Sequence, residues 1–241
     1  MKQIMILTRL NKFIAESGIT SRRKAEDMIS QGRISVNKKI VTKLNFKVNP
    51  SSDIVCLDGE KISPRKQVYF LLNKPKGIIS TTKDEKNRKT VIDLIKSKEK
   101  IFSVGRLDYN TTGVLFLTND GEFSNLLSHP KNKVPREYEV RLDNPLSETD
   151  MKILLKGTYI NNVRGKFEKI NFKKINGRKN LVVVCVEGRN HFVKMMFGAL
   201  HYRVVNLNRM SFAGIHADIP IGFYRKMSAS EISGILRIYG N

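Results

Sequence analysis

The chain reads as an α+β protein, with a small N-terminal αβ module followed by a larger domain built on a mixed, mainly antiparallel sheet. Three observations point there. Short apolar runs bounded by turn residues recur along the whole sequence, and stretches of helical spacing interrupt them. Residues 1 to about 60 hold a self-contained set of such elements. A polar, proline-broken stretch, Ser63-Pro64-Arg65-Lys66, then places a linker near 59–66, so the modules divide as 1–60 and 67–241.

In the first module Leu10, Phe13 and Ile14 share one helical face, and Gly18 suits the end of that helix. Thr20 or Ser21 caps a second helix that turns Ala25, Met28 and Ile29 inward and ends at Gly32. Ile34–Val36 is a strand, Asn37-Lys38-Lys39 a turn, and Ile54–Leu57 a strand closed by Asp58-Gly59. In the second module Gln67–Asn73 is a strand that Lys74-Pro75-Lys76-Gly77 turns into Ile78-Ile79-Ser80-Thr81. Val91, Leu94 and Ile95 predict a short helix capped by Thr90, and Phe123–Leu127 another. Tyr138–Leu142 is a strand, and Ser147-Glu148-Thr149-Asp150 opens a helix running to Lys156. Asn176-Gly177 suits a turn between the strands Phe167–Ile175 and Leu181–Glu187. Phe192–His201 is a helix, Val204–Phe212 a strand, and a last helix starts at Ser228.

The 241 residues carry 44 basic and 22 acidic side chains, a formal net charge of +22. A folded chain this basic is built to meet a polyanion, with nucleic acid the leading candidate and an anionic membrane surface the alternative. No apolar run approaches the roughly 20 residues needed to span a bilayer, and Met1–Leu10 is too short and too charged for a signal peptide. Cys56 and Cys185 lie in separate apolar runs and read as reduced core thiols of a cytoplasmic protein. Two distant cysteines and 4 scattered histidines make no metal-ligand spacing. Within residues 1–50, 11 basic residues face 3 acidic ones. Arg9, Lys12, Arg22, Arg23, Lys24 and Arg33, with Lys38 and Lys39, sit opposite the apolar stripe of the two helices, an arrangement suited to phosphates.

The chemistry concentrates in Val104-Gly105-Arg106-Leu107-Asp108-Tyr109-Asn110-Thr111-Thr112-Gly113, continued by Val114-Leu115-Phe116-Leu117-Thr118-Asn119-Asp120-Gly121. Here one carboxylate, Asp108, is held between two apolar runs. In an extended segment Arg106 would project to the same side and keep it ionised. Such an anion can serve as nucleophile or base toward a sugar or a base ring. The alternative is that Asp108 closes a turn through Asn110 or Thr111.

This long motif resembles the catalytic motif of RNA pseudouridine synthases of the RsuA/RluB/RluE/RluF branch. Three further segments stand in the family's order. They are Asn73-Lys74-Pro75-Lys76-Gly77, Arg136-Glu137-Tyr138-Glu139-Val140, and Glu187-Gly188-Arg189-Asn190-His191-Phe192-Val193-Lys194-Met195-Met196-Phe197 ahead of Leu207-Asn208-Arg209. The N-terminal segments Arg9-Leu10-Asn11-Lys12-Phe13, Ser21–Glu26 and Gly32–Asn37 resemble the S-four type RNA-binding domain. Asn11 and Lys38 stand where that family more often has Asp and Gly.

The resemblance implies isomerisation of uridine to pseudouridine in ribosomal RNA, with no cofactor and no metal. It implies Asp108 as the residue that starts glycosidic cleavage, and Tyr138 stacking on a flipped base. Lys194 stands where the family has the Arg that pairs with the Asp, and Phe192 where it has a Gln. Lys keeps the charge without the bidentate fork, and Arg106 shares the role. Lys194 also reads as a solvated helix residue, and His191 as either a phosphate contact or a polar helix start. Leu207 belongs to the pocket, and Arg189 and Arg209 are expected to contact the RNA backbone. Met195, Met196, Phe197 and Leu200 read as helix core. Asn110–Gly113 with Leu126–Pro130 lies closer to the large-subunit (23S) members than to the small-subunit (16S) type. The expected partner is ribosomal RNA, alone or in pre-ribosomal particles, without a membrane, and the expected state a monomer.

Overall fold

The computed structural model describes residues 7–82, 84–173 and 177–240. It divides into two compact units: one runs to Gln67 and takes in Lys98–Lys100, the other holds Val68–Ser97 and Ile101 onward.

The first unit contains β1 (Thr8–Arg9), α1 (Leu10–Glu16), α2 (Arg22–Ser30), β2 (Ile34–Val36), β3 (Lys39–Ile40), β4 (Lys47–Val48), β5 (Val55–Leu57) and β6 (Glu60–Ile62). Leu10, Phe13 and Ile14 from α1 and Ala25 and Ile29 from α2 are fully or almost fully buried against Ile34, Val36, Val48 and Val55. Ser21 caps α2 by accepting the Lys24 amide, which satisfies one of the helix's open donors. The strands form an antiparallel sheet in the order β3-β2-β5-β6, and β1 pairs with β4. Asn37 and Lys38 both have positive φ (50° and 67°), as do Asp58 and Gly59 (49° and 88°). These are the mirror-image turns whose twist matches a two-residue hairpin. The second hairpin corrects the expected linker at 59–66. Asp58-Gly59 folds Glu60–Ile62 back onto β5, pairing Ile62 with Val55, and two charged residues in three hid that strand.

The second unit contains β7 (Tyr69–Lys74), β8 (Phe102–Ser103), β9 (Thr112–Thr118), α3 (Gly121–Ser128), β10 (Arg136–Leu142), α4 (Glu148–Lys156), β11 (Thr158–Ile160) and β12 (Val163–Gly165). It continues with β13 (Lys169–Phe172), β14 (Asn180–Cys185), α5 (Phe192–Gly198), β15 (Val204–Phe212), β16 (Ile215–His216), β17 (Tyr224–Lys226) and α6 (Ala229–Tyr239). Nine strands form one sheet in the order β13-β14-β10-β15-β9-β7-β17, with β16 beside β15 and β8 beside β9. The β15–β9 pair is parallel and the other described pairs of this sheet are antiparallel. The mixed, mainly antiparallel sheet read from the sequence is what forms.

Both faces of this sheet are covered, and the alternation along its central strands shows how. Leu115 and Leu117 of β9 join a core with Val193, Met196 and Phe197 of α5 and Leu154 of α4. Their neighbours Val114 and Phe116 join a second core with Phe123 and Leu127 of α3 and Ile235 of α6. A strand buried on both faces has to be apolar at every position, which is why Val114–Leu117 is a continuous apolar run.

Two expectations need correction. Residues 91–95 form turns, not a helix: the Asp93 carboxylate accepts the Thr90 amide (2.7 Å) and hydroxyl (3.0 Å), and the Ile95 amide reaches only back to Ile92. Val91 and Ile95 are still buried, so two tight turns serve the same apolar spacing. Helix α5 stops at Gly198, short of His201, whose φ is 64°. The hairpin β11–β12 was not anticipated, because exposed Tyr159 and Val163 break its alternation. Asn176 of the predicted Asn176-Gly177 turn and the end of the strand before it lie outside the described residues.

Candidate active site

The segment between β8 and β9 holds Asp108 in a loop that three features shape. Gly105 has a φ of 68°, which turns the chain where a side chain would be strained. The Thr111 amide donates to the Asp108 carbonyl at 3.0 Å, closing a backbone turn. Lys74, at the end of β7 and 0% exposed, supports the loop from within. Its ammonium donates to the carbonyls of Pro75 (3.0 Å), Asp108 (3.1 Å) and Thr111 (3.0 Å), which matches its three protons. Burial pulls the Lys74 pKa down to about 8, and the nearby Asp108 charge opposes that shift.

With its backbone so fixed, Asp108 presents its carboxylate to the start of α5. Lys194 Nζ lies 2.6 Å from Oδ2 and His191 Nε2 lies 3.1 Å from Oδ1. Lys194 is therefore a partner of Asp108 and not a solvated helix residue. His191 makes the second contact because its left-handed backbone (φ 54°) starts the helix. The expected pairing of Arg106 with Asp108 does not form. Arg106 is exposed and donates to the Asn190 side chain at 3.3 Å. The Asx-turn reading of Asp108 also falls, since its turn is closed by the main-chain carbonyl.

Beside Asp108 opens a cavity of about 220 Å³. Tyr138 of β10 (8% exposed) and Leu207 of β15 form part of its wall. Burial raises the Tyr138 pKa, and the neighbouring Arg209 and Arg136 work against that rise. Tyr138 and Arg209 are directly paired across β10 and β15. Phe192 also lines the cavity, where it packs edge-on against Phe167 at 5.9 Å and lies under the Arg189 guanidinium at 5.1 Å.

Two of the expected RNA contacts are structural. Arg189 is ion-paired with Glu187 (2.6 Å) and donates to the carbonyls of Val163 and Arg164 (both 3.2 Å), bracing the β11–β12 hairpin. Arg209 is 2% exposed and its Nε donates to the Val114 carbonyl at 2.7 Å, so no RNA backbone can reach it. In the first unit Arg22, Arg23 and Lys24 are exposed at the start of α2. Arg9 lies 3.8 Å from Glu26 and Lys12 3.6 Å from Glu16. Arg33 is held by both oxygens of Asp58, a pairing that raises its own pKa and lowers that of Asp58. Sequence reading gave no role to Lys74 or Arg136. A lysine ending an apolar strand and an arginine opening another were the available signals.

A carboxylate held by a lysine and a histidine at the edge of a base-sized cavity, on a sheet joined in sequence to a basic α-β module, defines an RNA-modifying enzyme. Comparison with known proteins states which kind. The profile of the RNA pseudouridylate synthase family matches residues 68–199, and that of the S4 domain matches residues 8–55. The ribosomal large subunit pseudouridine synthase B of Bacillus subtilis is 37% identical over 231 residues, 94% of each chain. An RNA pseudouridine synthase of Aquifex aeolicus is 36% identical over 240 residues, 98% of this chain and 96% of the relative. A crystal structure of a pseudouridylate synthase superposes with a TM-score of 0.67 at 30% identity, covering 94% of this chain and 99% of the other. The chain belongs to the RNA pseudouridine synthases, and it is an enzyme of the RsuA/RluB/RluF type with an S4 domain at its N-terminal end.

Proposed function

We propose that this protein isomerises one defined uridine of ribosomal RNA to pseudouridine, that the target lies in the large-subunit (23S) RNA, and that Asp108 is the catalytic carboxylate. The observation that carries the reading is the placement of Asp108. Its two oxygens meet Lys194 and His191 at the edge of a cavity that Tyr138 and Leu207 also line. A uridine flipped out of its stack enters that cavity and lies against the Tyr138 ring. Lys194 and His191 orient the carboxylate so that it meets the sugar in a productive geometry. Asp108 then initiates cleavage of the N1–C1′ bond, the uracil turns within the pocket, and C5 is joined to C1′. The exposed Arg22, Arg23 and Lys24 grip phosphates of folded RNA through charge and shape.

The large-subunit target is supported by the kinship with the Bacillus subtilis large-subunit synthase and by Asn110–Gly113. The protein acts as a cytoplasmic monomer on ribosomal RNA or pre-ribosomal particles. Among the described residues no helix is long and apolar enough to cross a membrane.

The test is carbodiimide mapping of pseudouridine in rRNA from cells lacking the gene, complemented with wild type or Asp108→Asn. One lost 23S signal, restored by wild type and not by the variant, is the expected result. A lost 16S signal moves the target to the small subunit. An unchanged map means that the enzyme targets another RNA or that the protein serves as an RNA-binding or assembly factor, the role that Lys194 and Phe192 would favour.

A further inference from the structure

The cavity beside Asp108 contains more positive charge than its own side chains neutralise. Of the carboxylates that line it, Asp108 is taken by Lys194 and His191, and Glu187 by Arg189. Arg136 and Arg209 also line it, at 7% and 2% exposure, and no carboxylate lies within ion-pair distance of either among the described residues. Both guanidiniums pack over the same Phe212 ring, at 4.9 Å and 4.7 Å from its centre. Arg136 is tied to three carbonyls, those of Val134, Val186 and Leu127. Arg209 is not so satisfied: Nε reaches Val114, but Nη2 is buried and has no acceptor. The hydroxyl of Thr111, another buried wall residue, has no partner either.

Buried charges without counter-charges, and buried donors without acceptors, are costly arrangements that folded proteins avoid unless something else completes them. Burial and the Arg209 charge both weaken the hold of Arg136 on its proton, as expected for two cations sharing a site that awaits an acceptor. The missing partner is not a phosphate. Both guanidiniums lie too deep for a phosphate tethered in an RNA chain. A flat ring with carbonyl acceptors fits, and uracil presents O2 and O4.

We infer that Arg209 and Arg136, with the Thr111 hydroxyl, form a cationic seat that binds the carbonyl oxygens of the target uracil and stabilises the ring as it leaves the ribose. This rests on the reaction proposed above. When the N1–C1′ bond breaks, its electron pair goes to the ring, whose negative charge spreads onto O2 and O4. The ribose is balanced either by a new bond from an Asp108 oxygen to C1′ or by loss of the C2′ proton to that oxygen, with the C2′–H pair forming C1′=C2′. On return the ring's C5 supplies the pair for the new C–C bond at C1′; on the first route this displaces the Asp108 oxygen, and on the second Asp108 gives its proton back to C2′. The C5 proton is then lost and N1 takes one up. Donors fixed in advance where charge develops, away from water, stabilise that charge most strongly.

The test compares wild type, Arg209→Gln and Arg209→Lys in single turnover on the mapped rRNA fragment. The fragment carries uridine or 5-fluorouridine at the target, and loss of the target nucleoside is followed by chromatography. Fluorine withdraws charge from the departing ring and lessens its need for the seat. On uridine Arg209→Gln is expected to be slowed on the order of 10²-fold and Arg209→Lys less. On 5-fluorouridine the Arg209→Gln loss shrinks below about tenfold. An equal loss on both substrates, or no loss on uridine, overturns the inference. RNA affinity and melting temperature are measured alongside. If Arg209→Gln does not fold, the same two-substrate comparison on Arg209→Lys and Thr111→Val decides. A wild type that converts no uridine overturns the proposed reaction itself, whereas an active wild type without a substrate-dependent loss overturns only the seat.

Discussion

Lys194 and Asp108 stand 86 residues apart in the chain and meet at 2.6 Å. One lies in the first turns of α5 and the other in the loop before β9. Replacing Lys194 by Met leaves Asp108 with His191 alone. Single-turnover rates are then expected to fall on the order of 10- to 100-fold while RNA affinity holds. Lys194→Arg restores most of the rate, because it keeps the charge and adds the fork that suits a carboxylate. A Met variant as fast as wild type would remove Lys194 from the site.

Lys74 supports the same loop through three carbonyls. Lys74→Met leaves them buried and unpaired, at a cost of about 2–4 kcal/mol, read by urea denaturation. The pH dependence has a definite sign. The folded-state pKa is depressed to about 8 from the ordinary lysine value of 10.5, so the unfolded chain binds more protons between those limits. Wild-type stability relative to Lys74→Met therefore rises from pH 8 toward 10 and is lost as pH falls through 8. A constant difference across that range would show that Lys74 keeps its proton.

Gly113 opens β9 where that strand runs parallel to β15. A Cβ there would lie 2.1 Å from the Arg209 carbonyl oxygen, and its φ is 110°. No neighbouring side chain can yield, since the obstacle is backbone. Gly113→Ala is expected to cost more than about 4 kcal/mol, seen as loss of soluble protein or a collapsed melting temperature.

The basic residues separate by availability. Arg23→Ala and Lys24→Ala should each weaken RNA binding and lower the salt slope by about one unit or less. Arg33→Ala changes the slope less, its guanidinium being held by Asp58. Arg189→Ala leaves the slope unchanged and instead loosens the β11–β12 hairpin, reported by faster proteolysis there. Binding isotherms from low to high salt measure all four.

Local chemistry was legible along the chain. The Leu10, Phe13, Ile14 stripe, the Ser21 and Ser147 caps and the full span of β15 follow from spacing and capping, which depend on near neighbours. The turns at 91–95 and the strand β6 were misread because two tight turns and a short charged strand share their local patterns with a helix and a linker.

The site divides the same way. The residues Asp108, Tyr138, Lys194 and Leu207 could be named from motifs, since each motif is a contiguous run. The tertiary structure decided which cation meets the carboxylate. It excluded Arg106, two positions away, which reaches Asn190 instead, and it brought in His191 and Lys194 from beyond β14. It also engaged Arg189 with Glu187 and the β11–β12 hairpin and buried Arg209. Whether a charge faces water or a cavity depends on which strands lie on either side of it, and that pairing is set by contacts between residues far apart in the chain.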